Sequence, residues 1–293
     1  MQKITPFLWF DNQAEEAVKF YVSLFKNSKI NNTTRYNEES AIASGREAGS
    51  VMTIGFELLG QKFAAINGGP VFKFNPSISL SINLETEDEV DKLWSALIEG
   101  GIAMMDLGKY DWSEKYGWLQ DKYGVSWQIS IGQKESLKNV IMPSMLFVGD
   151  NFGRGEEALN FYTSLFENSE VCVIVRVGEE KGESGQKVLY SQYNLNGSSF
   201  ILMENEFEHA FNFNEAVSFV VNCKGQDEVD YFWNKFTADG TESMCGWLKD
   251  KFGVSWQIVP EELHQALGNP DPEKARKAMQ AMLGMKKIII ADL

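Results

Sequence analysis

Apolar and polar positions alternate along this chain with two periods. ITPFLWF is a short apolar run, and after Asp11 and Asn12 the period lengthens. Ala17, Phe20, Tyr21, Leu24 and Phe25 then recur at three and four residues, which predicts a helix with one apolar face. SKINNTTRY alternates and is rich in β-branched residues, and SVMTIGFELLG and QKFAAIN are two strands hinged at Gly60. The scheme then restarts. SISLSINL predicts a strand, and TEDEVDKLWSALIEGG a helix capped by Thr86 and ended by glycines. GWLQD and VSWQISI predict a closing hairpin turned at Tyr123 and Gly124. The order is β-α-β-β-β, twice.

The second half, from about Pro143 to Val259, repeats this order. GWLQDKYGVSWQI (117–129) returns as GWLKDKFGVSWQI (246–258), with 11 of 13 positions identical. EEAVKFYVSLFKNS (15–28) returns as EEALNFYTSLFENS (156–169), with 10 of 14 identical. FKFN (72–75) returns as FNFN (211–214), and DEVDKLW (88–94) as DEVDYFW (227–233). The offset falls from 141 through 139 to 129, because IAMMDLGKYDWSEKY in the first half faces only TESMC in the second. Colinear elements with variable connections mark a duplicated domain, since the period is too long for a solenoid. The expected units are 1–135, 136–262 and a helical tail, 263–293. Gly124 and Gly253 stand where a tight turn demands positive φ, and the tryptophans of the doubled string alternate as core-facing strand residues do. In the tail, Pro272 opens a helix whose Ala275, Met279, Met282 and Leu283 form a stripe that packs against a domain.

Paired β-α-β-β-β modules, FY-x-x-LF in the first helix and the D-K-[YF]-G-V-x-W-Q-I ending resemble the glyoxalase/bleomycin-resistance/extradiol-dioxygenase (vicinal oxygen chelate) superfamily. Within it they are most similar to the PhnB-like branch, which carries a demethylubiquinone methyltransferase-type label. The resemblance covers about 3–132 and 140–260. It implies an α+β fold of tandem glyoxalase-like domains, each half forming an open, cup-like mixed sheet around a cleft. It also implies an internal pseudo-dimer tethered through the segment between Gly132 and Val140, where a short link keeps the effective concentration near ~1 mM. The clefts should be unequal, the first carrying a longer lid with Tyr110 and Trp112. A monomer is the expected solution state, with a dimer through the C-terminal helices as the alternative.

Metal-dependent members of the superfamily place imidazole or carboxylate ligands on the first, fourth, fifth and last strands of the cup. By alignment on the FY motif these positions fall near Pro6 and Ser144, in FAAIN and FILME, on Ser79 and Ser218, and on Gln128 and Gln257. Only Glu204, in FILME, is an anionic ligand. His209 lies among Glu204, Glu206 and Glu208 in an acidic loop, and His264, the second of two histidines, in the tail. No metal centre and no cofactor are therefore expected. The methyltransferase label also fits poorly. A nucleotide-type site needs a glycine-rich turn after the first strand, and only Gly153 and Gly155 in the second half offer one. Candidate ligand-binding residues are Gln128 and Gln257, the matched Arg35 and Arg176 as bidentate anion holders, and Phe72, Phe74, Phe211 and Phe213 at the cleft mouth or as packing plugs. Cys245 lacks a neighbouring base to activate it.

Charge and composition narrow the partners. The formal charge of -14 repels a phosphate backbone or an anionic membrane, and no apolar run approaches the ~20 residues needed to span a bilayer. Three cysteines, all in the second half, give no disulfide framework and suit a reducing cytoplasm. The expected function is metal-free binding of a small molecule. The alternative is a metal-dependent enzyme of lyase, isomerase or dioxygenase type, with Glu204 or Gln257 completing its site.

Overall fold

A computed structural model describes residues 2–132, 140–177 and 187–293; the tether at 133–139 lies outside them. The chain forms four modules. The first comprises β1 (Ile4–Phe10), α1 (Ala14–Leu24), β2 (Lys29–Arg35), β3 (Val51–Leu58) and β4 (Gln61–Asn67), with an inserted helix α2 (Glu38–Ser44). The second comprises β5 (Ile78–Leu84), α3 (Glu87–Ile98), β6 (Ile102–Tyr110), β7 (Ser113–Gln120) and β8 (Ser126–Ile131). The third comprises β9 (Ile141–Phe147), α4 (Gly155–Leu165), β10 (Glu170–Arg176), β11 (Val188–Leu195) and β12 (Ser198–Glu204). The fourth comprises β13 (Val217–Cys223), α5 (Gly225–Thr237), β14 (Thr241–Glu242), β15 (Trp247–Lys249) and β16 (Ser255–Pro260). Helices α6 (Glu261–Leu267) and α7 (Pro272–Leu283) follow. Helix α2 was not read from the sequence; Asn37 caps it, its side chain accepting from Ser40 N.

The α+β class and the eight-stranded mixed sheets agree with the expectation, but each half does not build its own cup. Sheet A runs β14-β15-β16-β13-β1-β4-β3-β2 and joins modules one and four. Sheet B runs β10-β11-β12-β9-β5-β8-β7-β6 and joins modules two and three. The central seams are antiparallel: β1 against β13, with Phe7 opposite Ser218, and β5 against β9, with Ser79 opposite Ser144. The two modules of one half meet instead back to back, through their helices and a shared apolar core.

The doubled string builds that junction. Asp121, at the turn between β7 and β8, accepts from Tyr21 Oη of α1 (2.7 Å), Trp127 Nε1 (2.9 Å), Tyr123 N (2.9 Å) and Val125 N (3.0 Å). Asp250 repeats the arrangement with Tyr162 (2.8 Å), Trp256 (2.9 Å), Phe252 N (2.9 Å) and Val254 N (3.1 Å). Gly124 and Gly253 have φ of 89° and 86°, so the turns need glycine. The doubled string is thus a buried staple between modules.

The halves are related by a pseudo-twofold, and the repeated FKFN/FNFN marks it. Asn75 Nδ2 donates to Asn212 O (3.0 Å), and Asn214 Nδ2 donates to Lys73 O (2.8 Å), the reciprocal contact of an isologous interface. We expect Asn75→Ala and Asn214→Ala each to cost about 2 kcal/mol in urea unfolding, because each loses the bond across the interface and the one its Oδ1 accepts from Ser77 N or Ala216 N. Equal stability of the double variant and the parent would disprove this role.

Candidate functional site

Strand pairing determines which side chains line each cleft. Helices pack on one face of each sheet, and alternate residues point to the other, concave face. In sheet B, Ser79, Ser144 and Gln128 lie side by side on β5, β9 and β8 at the centre of the concave face. Gln128 Nε2 donates to Ser79 Oγ (2.6 Å) and Ser144 Oγ (3.4 Å), and Tyr116 Oη donates to Gln128 Oε1 (3.0 Å). The three floor residues are buried, as are Met142, Leu146 and Ile201 beside them. None of these six belongs to the helix-side core.

The wall residues follow from the same registers. Tyr116 and Trp118 of β7 flank the floor on one side, and Tyr190 and Gln192 of β11 on the other. Burial raises the Tyr116 phenol well above its ordinary range, with Tyr110 and Tyr190 adding to the shift, and it pushes Tyr190 up to about 12. Both stay neutral hydrogen-bonding groups. At the outer wing, Tyr110 stacks on Trp112 (5.0 Å between centroids) and packs edge-on against Tyr116 (5.7 Å). Trp112 is 66% exposed at the tip of the β6-β7 hairpin, where the expected lid lies. On the six inner strands of sheet B, no Asp, Glu, Lys, Arg or His occupies a concave position within these registers.

Sheet A presents the equivalent positions differently. Gln257 Nε2 donates to Ser218 Oγ (3.0 Å), but the position matching Ser144 is Phe7, which pairs with Ser218. The first-strand assignment to Pro6 is thus corrected by one residue. Alternation turns Pro6 to the other face, and Pro143, not Ser144, is its counterpart. The tail covers this floor. Leu263, Leu267, Met282, Met285, Ile288 and Leu293 pack on Phe7, Ala64, Ile66, Val220, Val259 and Trp247. Cys245 N donates to Met285 O and Gly246 N to Lys286 O, both at 2.7 Å. Tyr116 and Gly117, the counterparts of Cys245 and Gly246, belong to the long hairpin instead, with Tyr116 opposite Gly108 of β6. The ten-residue difference between the halves is therefore compensated: the tail stands where the missing hairpin arm would run.

Other sequence candidates lie elsewhere. Glu204 faces the helix side: Oε1 accepts from Gly153 N (2.6 Å) and Gly155 N (2.8 Å), and Oε2 from Val188 N (2.5 Å). Its counterpart Asn67 accepts from Ala14 N (2.8 Å) and donates to Val51 O (3.0 Å). Arg35 and Arg176 end the outer strands β2 and β10, where they bond Gly49 O (2.9 Å) and Glu156 (3.0 Å). Neither reaches a floor. Phe74 on Phe10 (5.0 Å) and Phe213 on Phe147 (5.2 Å) are packing plugs between modules. Phe72 packs on Trp9 at the rim of sheet A (5.0 Å), and Phe211 on His209 (4.8 Å). Tyr116 and Tyr190 were not singled out from sequence. The one signal was Tyr116 directly before Gly117, where the other half has Cys245.

The floor does not fit a divalent cation. Its groups are a neutral amide and hydroxyls already bonded to one another, and a metal site of this kind needs anionic or imidazole ligands. Among the described residues no three His, Cys, Asp or Glu side chains gather into a ligand group. Nor does the Gly153–Gly155 turn fit a nucleotide phosphate, because its amides already hold Glu204. Burial raises the Cys245 thiol, which argues against a nucleophile.

The fold defines the class: paired βαβββ modules that form two eight-stranded cups, a glyoxalase-like fold. Glyoxalase I from Zea mays shares it over 87% of this chain and 91% of that one, with a TM-score of 0.56 and 9% identity. The family model for 3-demethylubiquinone-9 3-methyltransferase matches residues 2–130 and 139–259, so the chain belongs to that family. A PhnB protein from Bacillus cereus, described as a 3-demethylubiquinone-9 3-methyltransferase, is 44% identical over 45% of this chain and 100% of its own, with a TM-score of 0.42. Protein PA1353 from Pseudomonas aeruginosa is 22% identical over 44% of this chain and 96% of its own, with a TM-score of 0.37. No curated protein matches. Among the described residues no helix is long and apolar enough to cross a membrane.

Proposed function

We propose that this chain binds a small, uncharged organic molecule in the cleft of sheet B, without a resident metal and without methyl transfer. The observation that carries this reading is the floor of Gln128, Ser79 and Ser144, joined by Tyr116 on a face whose six inner strands hold no charged side chain within the paired registers. Such a surface offers neutral hydrogen bonds and apolar walls, so a charged ligand would lose its hydration without a counter-charge. Arg35 and Arg176 are too peripheral to supply one. The seams β1–β13 and β5–β9 pair one edge of every module within the chain, which supports a monomer in solution.

The test uses Nile red, a neutral flat fluorophore. We expect one molecule bound per chain, with affinity lowered at least tenfold by Gln128→Leu. Ser144→Phe, which gives this floor the ring that sheet A carries at Phe7, should abolish binding while the far-ultraviolet circular dichroism stays unchanged. Prior treatment with EDTA should change nothing. Stoichiometric Zn, Ni, Mn or Fe in the purified protein, or binding lost on chelation, would favour the metal-dependent enzyme instead.

A further inference from the structure

We infer that the cleft of sheet A is a second small-molecule site, closed here by the chain's own C-terminal segment, and that a neutral apolar ligand enters it by displacing residues 282–293. The inference borrows only the class of ligand from the reading of sheet B. The two clefts of one chain provide the comparison. In sheet B, Trp118 Nε1 donates to Ser126 Oγ (2.8 Å), so the indole lies along the wall and leaves the floor free. The counterparts in sheet A are Trp247 and Ser255. There the Trp247 ring turns onto Phe7 (5.7 Å) and Trp9 (6.0 Å), beneath the tail. Ser255, 1% exposed, is left with a buried hydroxyl that has no hydrogen-bond partner. An orphaned buried hydroxyl is costly, and native structures keep few of them.

The tail therefore holds sheet A in a state that the homologous floor does not adopt. Two things would satisfy the hydroxyl. One is the return of Trp247 to the wall, as in sheet B; the other is a ligand oxygen or nitrogen placed above Ser255. Both require the tail to leave. Its attachment is confined to a short stretch: Met285 O and Lys286 O accept from Cys245 N and Gly246 N, Ile288 O accepts from Gln226 Nε2, and Ile290 N donates to Gln226 Oε1. Ile288 is its fully buried anchor, while Met282, Met285 and Leu293 are only partly buried. The surrounding ion pairs, Arg276–Glu39, Lys286–Glu242 and Lys287–Asp230, lie at the surface, where such pairs contribute little. What the tail places in the cleft is methionine and isoleucine side chains, so the space suits an apolar body. Ser255 then adds a single neutral polar contact.

Tail release can be scored in the full-length chain. Ile288→Asp, or Met285→Asp where the first variant fails to fold, should expose residues 269–293 to limited proteolysis. The Nile red stoichiometry should rise from one to two per chain. A synthetic peptide of residues 280–293 should suppress the second site and leave the first. Gln128→Leu in the same background should weaken the first and leave the second. A released tail with no added binding, or added binding that the peptide does not suppress, would overturn the inference. A parent chain that binds no probe counts against the sheet B reading alone, because the released cleft is scored by its own peptide-sensitive signal.

Discussion

Asp250→Ala is expected to lower the unfolding free energy by about 3–5 kcal/mol, because one truncation strands several buried donors at once. The Tyr162 hydroxyl, the Trp256 indole and the amides of Phe252 and Val254 all point at this carboxyl. Asp250→Asn should cost less, since the Tyr162 hydroxyl can reverse and accept from the new amide, and of the four donors only the Trp256 N–H loses its acceptor. The pair also separates charge from shape. Burial pushes the Asp250 carboxyl up to about 6, against the pull of Trp256, Tyr162 and the two amides. A folded-state value above the unfolded one means that the native protein holds the proton more tightly. The stabilisation from this group is therefore fully present below its ordinary value of 3.8 and lost as pH rises through about 6. The loss amounts to roughly 3 kcal/mol. Urea unfolding between about pH 4 and about pH 7 should show the stability of the parent, relative to Asp250→Asn, falling with pH. A relative stability that rises instead would mean that the four donors outweigh burial.

Glu204→Ala is the second large effect, expected at about 3–4 kcal/mol, because three backbone N–H groups lose one acceptor. Gly155 opens helix α4 and Gly153 lies just before its cap, so the side chain also meets the positive end of the helix dipole. For a chain of this size the melting temperature should fall by roughly 6–12 °C. Glu204→Gln keeps one oxygen for the two glycine amides and should lose about half as much. Metal content should be the same in all three proteins. Unchanged melting with altered metal content would restore Glu204 as a ligand.

These two carboxylates show how far the sequence could be read. Asp121 and Asp250 sit in a string repeated almost without change, and a repeated string between strand signals is a structural signature that needs no coordinates. Glu204 gave the opposite impression. It lies in an acidic stretch beside His209, and acidic clusters look like ligand sets. Only the alternation of β12, fixed by its pairing with β9, shows that Glu204 points to the helix and Met203 to the cleft. The matched arginines also needed the strand order to be located. Their match between halves marks equivalent strand ends, not a shared ligand, and strand order places both at outer edges.

By itself the sequence determined the module, its fourfold use, the tight turns at Gly124 and Gly253, and the buried tryptophans of the closing hairpin. These are local: they follow from side-chain period, from glycine's freedom at positive φ, and from exact repetition. Tertiary structure alone decided which modules share a sheet. The seams β1–β13 and β5–β9 join homologous strands, so pairing within a half or across halves satisfies the same apolar and hydrogen-bonding pattern. It also decided that the two clefts differ. Phe7 against Ser144, and a tail against a hairpin arm, are differences between residues far apart in the chain, and they acquire meaning only when folding lays them over equivalent floors.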